Sequence, residues 1–365
     1  AGSINAGAIS SVGAVSLESG TDSLTTSSIT AAGSVDLDGD AAITLGGLVK
    51  TTGGNNIDVA TNGTLSLNGG LDTSNAGSDA AGTLTLNSSI SNIVLAGNSI
   101  IRTNGTSDQA LTLAETVDGS SAGGQTLSID TGTADLILNS AIGASTNTGA
   151  LTLGGNDIDI NANISAAGIT MTSVEGSSDG DSVDLSTAAV SIDAKGGNLT
   201  INTDNFTTGG TATFLSTGGG ATFTLTGETA ATIIDVGSSA AGGTGLDISE
   251  AELQDVASTF STIAIGMDTS QTGAVTVNDA GGLTALNSGL TLRSEGSGGS
   301  VILGSNIDLS NTSSTNLSIE GAATIAGDVT LTTDAGNISF ASTVNADDAS
   351  SNNRDLILSL SSGTG

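Results

Sequence analysis

The chain has 365 residues and a formal net charge of −32, with 37 acids against 5 bases, 54 glycines, and no Pro, Cys, His, Trp or Tyr. This composition excludes disulfides and thiol chemistry, zinc sites with N or S ligands, Ser-His-Asp and Cys-His catalysis, and the clustered Lys and Arg that nucleic acids and anionic membranes require. Aromatics are 1% of the residues, so the core must be thin and built from Val, Ile, Leu and Ala, as in a narrow prism of stacked coils.

From the N-terminus onward the dominant motif is a triplet: apolar, small or polar, apolar. It stands at Val15-Ser16-Leu17, Val35-Asp36-Leu37, Ile43-Thr44-Leu45, Ile57-Asp58-Val59 and Leu65-Ser66-Leu67. It continues at Leu84-Thr85-Leu86, Leu111-Thr112-Leu113, Leu136-Ile137-Leu138, Leu151-Thr152-Leu153 and Ile158-Asp159-Ile160. Later copies include Leu199-Thr200-Ile201, Val275-Thr276-Val277 and Leu290-Thr291-Leu292. Alternation with period two marks a half-buried strand. Strands this short, separated by Gly, Asn, Asp and Ser, predict a coil of roughly 20–25 residues carrying two or three strands. Antiparallel sandwiches use longer strands and aromatic anchors. The expected fold is therefore all-β: a parallel β-helix, or β-solenoid, of about 16 coils. Each strand would lie on its counterpart one coil earlier, with Asn and Thr forming ladders at the corners.

One stretch departs from this pattern. Ser249-Glu250-Ala251-Glu252 reads as a capping box, and Leu253, Val256, Ala257 and Phe260 follow at helical spacing. It predicts a short inserted α-helix near residues 250–259, before Ile263-Ala264-Ile265 returns to strand. The expected organisation is solenoid coils over 1–245, a helix-containing insertion or module boundary over 246–266, and coils again over 267–365, in one continuous solenoid cut from a longer repeat protein.

Candidate sites are few. Asp36, Asp38 and Asp40 alternate along a strand and the turn after it, and alternate carboxylates are hard ligands suited to Ca2+. Against this, Asp36 occupies the outward place of a triplet, and no bidentate Glu follows at the required spacing. Gly242-Gly243-Thr244-Gly245-Leu246-Asp247 matches one copy of a calcium-binding nonapeptide, but that chemistry shares each ion between successive copies and no second copy follows. A turn before the helix is the better account of it. Asp179, Asp181 and Asp184, and Asp347, Asp348 and Asp355, are similar acidic groups. No catalytic residue, cofactor site or firm metal site is expected, and Ca2+ held weakly is the one ligand these acids could collect. Paired carboxylates can cleave glycosides, but they need aromatic or basic platforms to hold sugar, and this chain lacks them. The chain is not expected to be an enzyme.

Residues 327–365 carry Gly327-Asp328-Val329-Thr330-Leu331, Gly336-Asn337-Ile338-Ser339-Phe340, Leu356-Ile357-Leu358 and Gly363-Thr364-Gly365. This Gly-x-Ile-x-Phe, Leu-x-Leu, Gly-x-Gly series resembles the repeats of giant bacterial β-strand-repeat surface proteins, which are similar to filamentous haemagglutinin-like β-helical adhesins. The likeness spans the whole chain in style and is distinctive over 246–365. It implies export, an extracellular cell-surface location and a role as a structural stalk or fibre. The alternative is an adhesive module that binds a ligand on one solenoid face. Implied partners are further coils of the same protein, identical subunits end to end, or a host or neighbouring-cell surface, with no nucleic acid and no membrane insertion. The likeness carries over no catalytic or ligand-binding residue.

Overall fold

A computed structural model describes residues 2–74, 80–175, 182–187, 189–210, 212–237, 245–312, 315–348 and 353–361. The triplets become parallel strands of two to six residues. The chain forms two compact units, residues 1–191 and 192–365, and in each the strands stack into three walls. Together the units hold about 14 turns of about 24 residues each, slightly fewer turns than the spacing of the triplets suggests. Residues 246–266 lie inside the second unit.

In the first unit, Leu24, Ile43, Leu65, Ile93 and Val117 are register partners along one wall. Val49, Leu71, Ile101, Ile129, Leu153 and Met171 line the second wall. Val35, Ile57 and Leu84, then Leu111, Leu136, Ile158 and Val183, fill two successive sheets of the third. All of these side chains are buried. Each contributes about 1.5–3 kcal/mol by leaving water, and together these inward residues make the core. Successive coils approach each other closely enough to demand glycine at some positions. Gly70, for example, has φ +113° and its Cα faces the Ile100 backbone so closely that no side chain fits.

Two polar devices close the corners. The first is internal. Thr51, Thr73, Thr103 and Thr131 continue the inward alternation after Val49, Leu71, Ile101 and Ile129, and all are buried. Each hydroxyl donates to a carbonyl of its own corner: Asn55 at 2.6 Å, Gly82 at 2.7 Å, Gln109 at 2.5 Å and Ala134 at 2.7 Å. A carbonyl turned toward a dry core would otherwise cost about 1–3 kcal/mol. Thr203 and Thr333 do the same in the second unit. The second device is external. An Asn at the mouth of a strand accepts, through Oδ1, the backbone N–H of the equivalent residue one coil later. Asn56 takes Thr83, Asn98 takes Thr126 and Asn163 takes Ser191 in the first unit, at 2.8–3.0 Å. Asn198 takes Thr222, Asn306 takes Thr330 and Asn316 takes Asn337 in the second, at 2.7–3.0 Å. These are side-chain rungs added to the backbone ladder, as the Asn content of the corners leads one to expect.

The second unit stacks Leu199, Phe223, Ile263, Leu290, Leu317 and Ile338 along one wall and Ile234, Val275, Val301, Ala323 and Val344 along another. Four of the five Phe gather in its core. Phe206–Phe214, Phe214–Phe223 and Phe223–Phe260 have ring centroids 5.8, 5.3 and 5.9 Å apart.

The helix, α1, covers Glu250–Gln254 and no more. Its capping box forms as expected: Ser249 Oγ accepts the Glu252 N–H at 3.2 Å, and Glu252 Oε2 accepts the Ser249 N–H at 2.8 Å. The expected extension to residue 259 does not form. Val256 instead makes a parallel bridge with Phe214, and Phe260 opens the next strand. Both are buried as solenoid residues, so wall pairing overrides a spacing that also suits a helix.

Strand order also breaks here. The strand Ile234–Val236 has two neighbours, Leu246–Ile248 on one edge and Val275–Val277 on the other. The strand Leu246–Ile248 also contacts Phe206–Thr208. The chain thus lays down Ile234–Val236 first and places the following strand on that strand's opposite edge from Val275–Val277.

Candidate functional site

The outer faces carry the charge, and stacking organises it in columns. Residues in register sit one strand spacing apart, roughly 4.8 Å. Asp36 lies between Ser16 and Asp58, and Asp38 lies between Glu18 and Ala60. Asp159 stacks on Asp184, and Asp235 on Asp247. Like charges directly opposite are destabilising. The few bases relieve this locally. Lys50 Nζ meets Asp72 Oδ2 at 2.8 Å, and Arg293 Nε meets Glu320 Oε2 at 2.9 Å, each pair being register partners one coil apart. Lys195 pairs with Asp193 at 2.7 Å and Arg354 with Asp347 at 2.8 Å. Arg102 is in register between Asp72 and Asp130. The bases are thus spread among acids and make no cationic patch among the described residues.

The Ca2+ candidates are placed as follows. Asp36 and Asp38 project from one face of the strand Val35–Asp38 and are exposed. Asp40 accepts a hydrogen bond from Asn62 Nδ2. Asp247 is the outward residue of Leu246–Ile248, over Asp235. Gly242, Gly243, Thr244, Asp179 and Asp181 lie outside the described residues, as do Gly363, Thr364 and Gly365. Asp184 stands in the column with Asp159. Asp347 is tied to Arg354, and the Asp355 N–H is accepted by Asp328 at 3.1 Å.

The structure brings together one acidic group that the sequence does not reveal. Ligand oxygens of Asp268, Glu295 and Glu320 lie within 4.8 Å of one another. Asp268 and Glu295 follow the ends of two successive strands of one wall and Glu320 lies within the next strand, so no local spacing links them. Hard cations take six to eight oxygens. This group offers three, and one of its carboxylates is engaged by Arg293. Beside it lies a cleft of about 320 Å³ whose lining includes Ser294, Glu295, Gly299, Gly321 and Ala341. No helix among the described residues is long and apolar enough to cross a membrane. Leu358 and Leu360 are in register with Leu331 and Thr333, which are buried, yet are themselves 52% and 66% exposed.

Comparison with protein families, with curated proteins and with solved structures gives no match. The likeness to β-strand-repeat surface proteins rests on the sequence motifs alone.

The Asp159 column has a measurable signature. Burial first, and then the charges of Asp184, Asp157 and Asp135, raise the Asp159 carboxyl above the usual Asp range. The folded state therefore binds this proton more tightly than the unfolded chain. Stability falls as pH rises through the interval between the ordinary and the raised value. Asp184→Asn removes the stacked charge. It should stabilise the first unit by about 0.5 kcal/mol at neutral pH and flatten this part of the pH profile. Thermal melts followed by circular dichroism from acid to neutral pH test it. A variant less stable than wild type at neutral pH would show that the column is not repulsive.

Proposed function

We propose that this chain is a structural stalk or fibre-forming segment of a large extracellular bacterial surface protein, with no catalytic role. The supporting observation is the repetition of one three-walled coil within each unit, its hydrogen bonds running along the stack and its inner positions filled by Val, Ile and Leu. Such an architecture supplies length and stiffness from short-range contacts between neighbouring coils. The acidic outer columns favour solubility and mutual repulsion between neighbouring stalks. Export and surface display rest on the motif resemblance over 246–365.

An adhesive module is the second reading, and the cleft beside Glu295 is the surface that favours it. Immunogold electron microscopy separates the readings, using antibodies raised against this chain on whole mounts and thin sections of its source cells. Label distributed along thin fibres supports the stalk. Label confined to fibre tips supports the adhesive module, and label inside the cell overturns both.

A further inference from the structure

The out-of-order segment is held by an arrangement of its own among the described residues. Residues 245–257 comprise Gly245, the strand Leu246–Ile248, the capped helix α1 and the bridging Val256. Gly245 has φ +154° and packs against the Ile233 carbonyl, where a side chain would collide. The strand bonds to Ile234–Val236 on one edge. Four carboxyls of the segment anchor or border it, and the groups facing them are acids or neutral donors. Asp247 faces Asp235 of the neighbouring strand. Glu252 accepts from Ser249 Oγ at 2.9 Å and from the Thr208 N–H at 3.4 Å. Asp255 accepts from Thr208 Oγ1 at 2.7 Å. Glu250 accepts from the Thr284 N–H at 2.6 Å and from Thr284 Oγ1 at 2.9 Å. Gly237, at the end of the neighbouring strand, abuts Asp279. The four ion pairs of the described residues all lie elsewhere.

We propose that residues 245–257 are a pH-dependent latch, closed firmly under acid conditions and loosened toward neutral pH, whose release uncovers the hydrogen-bonding edge of Ile234–Val236. The electrostatics agree in sign. Burial raises the Glu252 and Asp255 carboxyls, and burial followed by the Asp235 charge raises Asp247. A closed latch binds these protons more tightly than an open one. Its stability is greatest below the ordinary carboxylate range and declines as pH climbs through the raised values. The proposal stands independently of the stalk role.

Hydrogen exchange of the whole chain read by mass spectrometry tests it, with rates converted to protection factors so that intrinsic pH effects cancel. Peptides covering 245–257 should lose protection several-fold between about pH 4.5 and about pH 7.5. Val301–Leu303, a strand without acids, serves as the internal reference and should hold constant. Asp235→Asn leaves every latch residue in place and should restore several-fold protection to 245–257 at neutral pH. Protection that stays flat or rises with pH overturns the proposal, as does an Asp235→Asn chain that matches wild type at neutral pH.

Discussion

The Leu153→Asp chain should lose cooperative folding of residues 1–191. Leu153 is fully buried between Ile129 and Met171 on the second wall of the first unit. Truncating such a side chain to Ala costs about 2–5 kcal/mol. A carboxylate there also brings a charge into an apolar column with no base to meet it, which adds several kcal/mol more. Whole domains are stable by only about 5–15 kcal/mol. Each coil of a solenoid is supported by its immediate neighbours, so a broken coil withdraws support from both sides. Far-UV circular dichroism on heating should show a lowered or absent transition for Leu153→Asp. Leu153→Ala should fall between it and wild type. Thr152→Asp, on the exposed face of the same strand, should stay within about 0.5 kcal/mol of wild type. If Leu153→Asp melts with wild type, the inward assignment of that strand is wrong.

Phe214→Ala should be the most damaging truncation in the second unit. The ring is fully buried between Phe206 and Phe223, and its backbone is the bridge partner of Val256. Phe→Ala in a core costs about 3–5 kcal/mol, and each lost aromatic pair is worth a further 0.5–1.5 kcal/mol, roughly. The rings stack on one another between the strands that precede and follow the helix. The cavity left by Ala is bounded by strands on several sides, and hydrogen-bond ladders restrain them from collapsing into it. Denaturant unfolding followed by near-UV dichroism suits this test. The chain has no Tyr or Trp, so that signal comes from Phe alone, and four of the five rings belong to this stack. Phe214→Leu should recover much of the loss. A Phe214→Ala chain within 1 kcal/mol of wild type, roughly, would show that the stack is not what holds this region.

The walls were legible because the inward code is short and repeated. Leu127-Ser128-Ile129 and Leu151-Thr152-Leu153 announce their own burial by alternation. The inner Thr ladder was only partly legible. Thr131 follows Ile129 at the same two-residue step, but its buried role depends on a carbonyl at Ala134 that turns inward only once the corner forms. The extent of α1 misled because Leu253, Val256 and Phe260 satisfy the helical and the wall pattern together. Only the long-range partner Phe214 decides between them. The Asp268, Glu295 and Glu320 group was not legible at all. Its members meet through coil register, which depends on uneven loop lengths that alternation does not encode.

The placement of Ile234–Val236 has a consequence in time. A solenoid grows by templating, each new strand settling on an edge already made. Both strand partners of Ile234–Val236, at Leu246–Ile248 and Val275–Val277, come later in the chain. A polypeptide emerging N-terminus first therefore reaches residue 236 before either strand partner of Ile234–Val236 exists. Propagation must halt there until at least residue 248 has appeared, and then advance as a two-strand step.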